Sequence, residues 1–521
     1  MQDGVAQPGV GASFGVNHSL SSNCKARQQQ RRGHEIPVHA KFTIHYSVHP
    51  RVLPRSERMR RPPGPKPHFL IGNMPLASAD PLAVFLGWAR EFGDIFYYRA
   101  AWIHVYFLNH PDLIDAVLVR NYQNFLKDHV VRKSRWFFGD GLLTNEGESW
   151  LRQRRLSQPA FHRERIASYA KIMTGYAEQM LTSWKDKNQD GETRDVHQEM
   201  MQLTLRIVVR ALFNVESEEV GEISTAMNVL MRNSVGLRLL LPPIARYLPT
   251  QAMIEFRRAV GRLDSTVYRI IAQRRESGSD SGDLLSMLIQ ARDEDGGRMT
   301  DKQLRDEVLT FLLAGHETTA LALSWTWYLL GQNPETEKKL HQELDRVLDG
   351  RVPTFADLLA LSYAERVIKE SLRLYPPAWG LARTVIKEFE LAGYRIPPGA
   401  NVVMSTWIMH RDPKYFPEPE RFDPDRWRPE KAQKIPKFAY FPFGGGPRQC
   451  IGASFAMMEA TLLLATIAQR FQFRAEPGHL VTPTPSFTLR PKQGIRMRLE
   501  QRDSRRAAAA VHSPLSAPAE A

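Results

Sequence analysis

The stretch Phe443-Gly444-Gly445-Gly446-Pro447-Arg448-Gln449-Cys450-Ile451-Gly452 contains one of only two cysteines in a chain of 521 residues. The other, Cys24, lies in a polar leader whose composition is typical of disorder. Glycines let a backbone approach a flat ligand closely, and the start of a following helix stabilises negative charge on sulfur. One cysteine cannot supply the several ligands of a structural zinc site, but it can supply the axial ligand of a haem. A buried structural cysteine beside a tight loop is the alternative.

This stretch resembles the haem-binding loop of the cytochrome P-450 family, whose pattern is Phe-x-x-Gly-x-Arg-x-Cys-x-Gly. The places of that pattern are filled, without departure, by Phe443, Gly446, Arg448, Cys450 and Gly452. The resemblance implies haem b (iron protoporphyrin IX) as the cofactor and Cys450 as the axial ligand of its iron. It also implies that Arg448 bonds a haem propionate. The haem contacts implied within this loop are Phe443, Gly444, Arg448, Cys450 and Gly452.

Composition and charge narrow the class of protein. An apolar fraction of 43% and a charged fraction of 24% are typical of a globular protein with a large core. The net charge is +14, and residues 1–61 carry half of it, with ten Lys/Arg against three Asp/Glu. The rest is therefore only moderately basic: either a solvated surface or a patch that steers an acidic electron-transfer partner. No motif supports nucleic-acid binding.

The ends of the chain indicate a single working domain. Residues 1–61 are predicted to be a disordered basic leader, 62–499 the folded domain, and 500–521 a disordered tail rich in Ala, Ser and Pro. No run of 18 apolar residues and no signal peptide occur, so no membrane anchor is expected. Two distant cysteines make a disulfide framework improbable and fit a reducing compartment. We therefore expect a cytoplasmic, soluble monomer.

Trp150 and Arg154 are four residues apart on a predicted helix, and hence on one face. That spacing can aim an indole N–H and a guanidinium at one anionic group, although a basic surface helix is the alternative. In the resembled family a Trp-x-x-x-Arg at this place contacts a haem propionate. Arg383 similarly resembles the family's second propionate-binding arginine.

A long helix is predicted from a capping box formed by Thr300 and Gln303 to about Gln332. Its middle is apolar nearly all round, which predicts burial, yet it contains Gly315-His316-Glu317-Thr318-Thr319. Hydroxyls bonded to carbonyls of the preceding turn, with the glycine, could open a groove for a small ligand beside an acid–alcohol pair. A polar interruption in a packed helix is the alternative.

The same segment resembles the family's oxygen-binding motif, Ala-Gly-x-Glu-Thr-Thr, which begins here at Ala314. The resemblance implies that Ala314 contacts the haem and that Thr318 hydrogen-bonds dioxygen or the water that protonates it. It implies that Glu317 delivers protons, so Glu317 and Thr318 are the predicted catalytic residues. His316 occupies a variable place, and no role follows for it.

Glu370 and Arg373 are one helical turn apart and can form an ion pair. Together with Arg421, from Pro419-Glu420-Arg421-Phe422, they resemble the family's structural triad. In the family that triad holds the loop before the cysteine. These three residues are therefore expected to be scaffold and not catalysts.

The substrate pocket is predicted from the same resemblance. The apolar segment 237–244 resembles the mobile loop over the substrate entrance, and its character favours a fatty acid, a terpene or a steroid-like substrate. The residues expected to face the substrate are Ala378, Trp379, Leu381, Phe487 and Thr488.

Periodicity predicts a helix over Pro81–Phe92 and strands over Ile95–Tyr98 and Ile103–Leu108. The segment Arg132–Phe138 is expected to be irregular and aromatic, lining a pocket or capping the core. Residues 400–407 read as a strand.

The resemblance implies a mainly α fold with a small β-rich lobe, and the haem between the long helix and the cysteine loop. It implies a monooxygenase that uses dioxygen and an apolar substrate, with electrons from a separate ferredoxin or flavodoxin and an NAD(P)H-dependent reductase. The alternatives are a haem-thiolate isomerase or peroxygenase, and a non-catalytic haem sensor.

Overall fold

The structure, a computed structural model, describes residues 61–74, 80–187, 191–214, 217–232, 250–278 and 282–502. None of the described helices is long and apolar enough to cross a membrane. The helices are α1 (Pro81–Phe92), α2 (Pro111–Asp115), α3 (His129–Lys133), α4 (Arg135–Phe138), α5 (Gly147–Ser157), α6 (Arg163–Lys187), α7 (Val196–Phe213), α8 (Ser217–Arg232), α9 (Gln251–Ser277), α10 (Leu284–Gln290), α11 (Asp301–Gln332), α12 (Pro334–Leu348), α13 (Ser362–Leu374), α14 (Thr406–Met409), α15 (Pro429–Ala432) and α16 (Ala453–Ala468).

The strands form a small β-rich part beside these helices. The largest sheet has the order β1-β2-β8-β5-β3, in which only β2 and β8 are parallel. A three-stranded sheet has the order β4-β12-β9, and β6–β7 and β10–β11 are antiparallel pairs. The strands are β1 (Ile95–Ala100), β2 (Ile103–Leu108), β3 (Phe125–Lys127), β4 (Thr193–Asp195), β5 (Leu381–Val385), β6 (Phe389–Leu391), β7 (Tyr394–Ile396), β8 (Asn401–Met404), β9 (Phe471–Ala475), β10 (Pro483–Pro485), β11 (Leu489–Pro491) and β12 (Arg496–Gln501).

Helix α11 is the buried centre of the helical part. Its N-terminus has the predicted capping box: Thr300 Oγ1 accepts from the Gln303 N–H, and the Gln303 side chain accepts from the Thr300 N–H. Helix α7 packs closely along it, because a Cβ at Gly315 would lie only 3.0 Å from Val208 Cγ2. The glycine therefore admits a neighbouring helix. The predicted local opening is not seen, since α11 is helical without interruption from Asp301 to Gln332.

Helix α16 follows the cysteine loop and packs against α6, α11 and α13. Nearly all its side chains beyond the first turn are buried, including Leu462, Leu463 and Leu464, which are fully buried. A helix apolar on every side lies inside the core. The buried helix α16 thereby anchors the C-terminal end of the cysteine loop in the core, close to α11.

Two local predictions were wrong. Arg132–Phe138 is not irregular, because α3 and α4 occupy most of it. There Phe137 is 2% exposed and packs edge-on against Phe256 at 5.3 Å between ring centroids, which caps the core. Trp407 lies in α14 and not in a strand, because Ser405 caps a new helix immediately after β8. Cys24, segment 237–244 and the tail from 503 lie outside the described residues.

Candidate active site

The cysteine loop is a tight turn that only glycine can form at two places. Gly444 and Gly446 have φ values of +70° and +67°, a region that other residues rarely adopt. A Cβ at Gly446 would also collide with the carbonyl oxygen of Leu118. The turn closes with the Cys450 N–H donating to the Phe443 carbonyl at 3.0 Å.

Cys450 is a free cysteine whose exposed surface faces a cavity inside the protein. Burial raises the pKa of the thiol, while the Gly452 N–H and the charge of Arg154 lower it. Without a further positive charge the thiol is therefore held in its neutral form. A metal cation bonded to sulfur would supply that charge and favour the thiolate.

A cavity of about 330 Å³ lies between the cysteine loop and α11. This volume falls within the roughly 300–1,000 Å³ of small-molecule sites. The α11 wall consists of Thr310, Phe311, Ala314, Gly315, Thr318, Thr319 and Ala322. The opposite wall includes Phe441, Pro442, Phe443, Gly444, Arg448, Gln449, Cys450, Ile451 and Gly452. The two predicted motifs thus face one space.

Three predicted cations, Arg154, Arg383 and Arg448, line this cavity. Arg154 Nη1 donates to the Gln449 carbonyl at 2.9 Å. Arg448 pairs with Glu146, and its guanidinium carbon lies 3.8 Å from the centroid of the Trp150 ring. The structure therefore brings Trp150 and all three arginines together, although the indole lies against Arg448.

Lys127, in β3, is a cavity-lining cation that sequence reasoning missed. Its Nζ donates to the carbonyls of Leu142 (3.0 Å) and Leu143. Burial, with the nearby charge of Arg448 as a smaller cause, lowers the pKa of Lys127 to about 7. No sequence signal marked it, because a lone lysine in a short strand has no periodic pattern.

The charges around the cavity fit a haem. None of the residues described as lining it carries a carboxylate, whereas four cations do line it. Burial lowers the pKa of Arg448 to about 10 and also lowers the pKa of Arg383. Glu146 offsets part of this positive charge by pairing with Arg448, and a ligand bearing two carboxylates would offset more of it. Haem fits both features, because its two propionates can pair with the cations and its iron can bind the Cys450 sulfur.

The predicted acid–alcohol pair faces two different spaces. Thr318 lines the cavity, and its Oγ1 donates to the Ala314 carbonyl at 2.6 Å. Glu317 lines a separate chamber of about 30 Å³, where its Oε1 accepts from Thr488 Oγ1 and Arg490 Nε, each at 2.6 Å. The alcohol is thus at the cavity and the acid is tied to β11 and the turn before it.

His316 lies away from the cavity and is 2% exposed. Burial lowers the pKa of His316 to about 3, with the charge of Arg490 a smaller cause. Its backbone carbonyl accepts from Thr204 Oγ1 at 3.0 Å. The imidazole is therefore neutral and belongs to the packing between α11 and α7.

The predicted substrate residues divide into two groups. Ala378 and Leu381 line the main cavity. Trp379, Phe487 and Thr488 do not: the Trp379 indole donates to the Ser486 carbonyl at 2.9 Å, Phe487 borders the small chamber, and Thr488 donates to Glu317.

The structural triad uses a different arginine from the one predicted. Glu370 and Arg373 are fully buried and bonded through two N–H donors at 2.9 and 2.8 Å. The third member is Arg426, whose Nε donates to Glu370 at 3.2 Å. The prediction of Arg421 was wrong: its side chain is 63% exposed and pairs with Glu418, and only its carbonyl reaches Arg373. Arg421 and Arg426 are five residues apart in one loop, so their positions in the sequence did not indicate which of them bonds Glu370.

Comparison with known proteins identifies a matching family model and similar proteins over most of the chain. A family model described as Cytochrome P450 matches residues 62–498. Cyclooctatin synthase of Streptomyces melanosporofaciens is 42% identical over 424 residues, which are 81% of this chain and 91% of the relative. Cyclooctat-9-en-7-ol 5-monooxygenase of the same organism is 40% identical over 398 residues (76% and 85%). Pentalenene oxygenase of Streptomyces avermitilis is 36% identical over 421 residues (80% and 92%).

Proposed function

The chain belongs to the cytochrome P450 family, and within it we propose that this monooxygenase hydroxylates a cyclic terpene. The net reaction is R–H + O2 + 2 electrons + 2 protons → R–OH + H2O, so one oxygen atom enters the substrate and the other leaves as water. The electrons come from a donor outside this chain.

The apolar wall of the main cavity carries the proposal. Away from the cations, the lining is aliphatic and aromatic, as at Leu212, Phe311, Ala314 and Leu381. Such a wall binds a hydrocarbon by removing its surface from water and offers few polar groups to orient it. The relatives named above are terpene-modifying monooxygenases, which favours a terpene over a fatty acid or a steroid.

The haem, when bound, supplies the activation of dioxygen and the electron transfer that oxidises a C–H bond. Cys450 would hold its iron through the thiolate sulfur. The propionates would be held by Arg154, Arg383, Arg448 and Lys127, with charge-assisted hydrogen bonds. The apolar walls exclude water from the space beside the cysteine, which limits unproductive proton leakage.

Thr318 would hold a proton at its hydroxyl on the cavity side of α11. The hydroxyl donates to Ala314, so its lone pairs face the space that the substrate and dioxygen would share. Glu317 would supply protons from the small chamber, where one or two waters fit because each needs about 10–15 Å³. Proton transfer by positioned side chains contributes roughly 10²–10⁴-fold to such reactions.

The partner and the location are also part of the proposal. We expect a ferredoxin or a flavodoxin, reduced by an NAD(P)H-dependent reductase, to donate electrons to a cytoplasmic monomer. The relatives from Streptomyces support a bacterial partner of the ferredoxin type.

Spectral titration of the purified holoprotein with a cyclic terpene, a straight-chain fatty acid and a steroid tests the substrate class. The cyclic terpene should bind with the lowest Kd, and its hydroxylation should require NAD(P)H, a reductase and a ferredoxin or flavodoxin. Cys450→Ser should remove the absorption band of the reduced carbon monoxide complex that is typical of thiolate-ligated haem. Tightest binding of the fatty acid would refute the substrate class, and full turnover with peroxide alone would refute the monooxygenase assignment of this chain.

A further inference from the structure

Four exposed apolar side chains cluster at the tip of the β1–β2 hairpin, and none of them lines the haem cavity. The cluster comprises Phe69 (76% exposed), Leu70 (68%), Ile71 (46%) and Trp102 (80%), and we call it the hairpin-tip patch. Single exposed apolar residues are normal on a protein surface. Three consecutive ones beside an exposed tryptophan are not, and such clusters mark interaction sites.

Hydrogen bonds hold the two parts of the patch together. The Ala101 N–H donates to the Ile71 carbonyl at 3.2 Å, and the Asn73 N–H donates to the Arg99 carbonyl at 2.6 Å. Gly72 forms a β-bridge with Ala100. The loop is therefore pinned across the end of the hairpin, and its apolar side chains point outward although its backbone is ordered.

The described loop (61–74) and the hairpin (95–108) that carry the patch contain basic residues and no acidic ones. No Asp or Glu occurs in the sequence between Glu57 and Asp80, nor between Asp94 and Asp112. Basic residues flank the patch: Arg61 and Lys66 are exposed, and Arg99 Nη2 donates to the carbonyls of His68 and Phe69 at 2.5 Å each.

We propose that the hairpin-tip patch docks this protein on the surface of a lipid bilayer that carries anionic headgroups. Tryptophan and aliphatic side chains suit the boundary between headgroups and acyl chains, where the apolar ring is buried and the indole N–H stays hydrated. Arginine and lysine beside them are attracted to anionic lipid. Together these two contributions are what reversible interfacial binding requires.

A protein partner is the weaker reading of the same surface. A protein interface has an apolar centre inside a polar rim of mixed charge, whereas this rim is basic throughout the described loop and hairpin. A negatively charged, laterally continuous surface complements it. The docking also needs no membrane-spanning helix, in agreement with the absence of one among the described helices.

Vesicle co-sedimentation of the full-length holoprotein tests the proposal. The protein should sediment with vesicles of phosphatidylcholine mixed with phosphatidylglycerol, sediment less with phosphatidylcholine alone, and be released by high salt, which screens the charges. The variant Leu70→Ser/Trp102→Ser should lose at least about tenfold in partition coefficient, since each large apolar side chain withdrawn from water changes an equilibrium by about that factor. Unchanged carbon monoxide spectra would verify that the variant is folded.

Leu359→Ser is the matched control, because Leu359 is 86% exposed and lies in the connection between α12 and α13, outside the patch. It should bind the anionic vesicles as the parent protein does. Equal binding of parent and double variant, or no binding of the parent to anionic vesicles, would overturn the proposal. So would a dimer in vesicle-free solution that the double variant abolishes, since the patch would then be a contact between two copies of this chain.

Discussion

Replacement of Arg426 by alanine should destabilise the protein, whereas the same change at Arg421 should not. Both arginines lie in the loop between α14 and α15, five residues apart. The Arg426 side chain is 10% exposed and donates to Glu370, which is fully buried. The Arg421 side chain is 63% exposed and pairs with Glu418, which is 70% exposed.

The size of the effect follows from the bonds lost at each site. Arg426 donates to the Glu370 carboxylate at 3.2 Å and to the Glu418 carbonyl at 2.7 Å. A hydrogen bond between charged groups contributes about 1.5–3 kcal/mol, and with the bond to the carbonyl counted at about 1 kcal/mol the loss should be about 2.5–4 kcal/mol. This loss does not exceed the cost of leaving a buried charge unpaired, because Arg373 and the Trp427 indole still donate to Glu370 in the variant. The exposed pair of Arg421 contributes about 0–0.5 kcal/mol.

Urea unfolding of both holoprotein variants, followed by haem absorbance and by far-UV circular dichroism, measures the difference. Arg426→Ala should shift the midpoint strongly and retain less haem, because Glu370 of α13 also accepts from the Asp423 N–H in the segment that leads to the cysteine loop. Arg421→Ala should match the parent protein. Equal shifts for the two variants, or a larger shift for Arg421→Ala, would refute the assignment of Arg426 to the triad.

Three further changes test other parts of the site. Gly446→Ala should abolish haem binding because of its positive φ and the collision with Leu118; the haem content of the purified variant measures this, and full haem content would contradict it. Thr318→Ala should keep haem but lower the ratio of hydroxylated product to NAD(P)H consumed, and an unchanged ratio would count against its proton role. His316 has a lowered pKa of about 3 when folded, so as pH falls below about 6.5 the unfolded chain gains a proton that the folded protein does not. Below that pH the free energy of unfolding should therefore fall by about 1.4 kcal/mol per pH unit because of His316. In His316→Asn the slope of the unfolding free energy against pH should be smaller by that amount. Identical slopes in the variant and the parent protein would contradict the lowered pKa of His316.

Local chemistry in the sequence predicted the parts of the site that depend on neighbours along the chain. The capping box at Thr300 and the turn before Cys450 are of this kind, because each is decided within a few residues. Lys127 could not be found in that way: its burial results from β3 pairing with β5 and from carbonyls of a later loop. Arg421 and Arg426 were likewise indistinguishable, because burial and not spacing decides which of them reaches Glu370.

Gly315 has a different structural effect from the one predicted. The residue was expected to loosen α11, yet α11 is continuous and the glycine makes room for Val208 of α7. Because a hydrogen atom replaces a side chain there, the two helices approach until Thr204 Oγ1 bonds the carbonyl of His316. The contact between α7 and α11 thus lies next to the part of α11 where Thr318 lines the cavity.

The placement of Glu317 determines how a proton could reach that hydroxyl. The carboxylate and the hydroxyl are on adjacent residues of one helix, and successive residues point about 100° apart, so the two groups face different spaces. Thr488 and Arg490 bond the carboxylate within the small chamber, whose volume admits one or two waters. The proposed transfer to Thr318 would therefore need either a water that passes around α11 or a rotation of Glu317 that breaks its bonds to Thr488 and Arg490. Because both bonds come from the turn and strand near residue 488, movement of that segment would couple proton supply to whatever occupies the space beside Phe487.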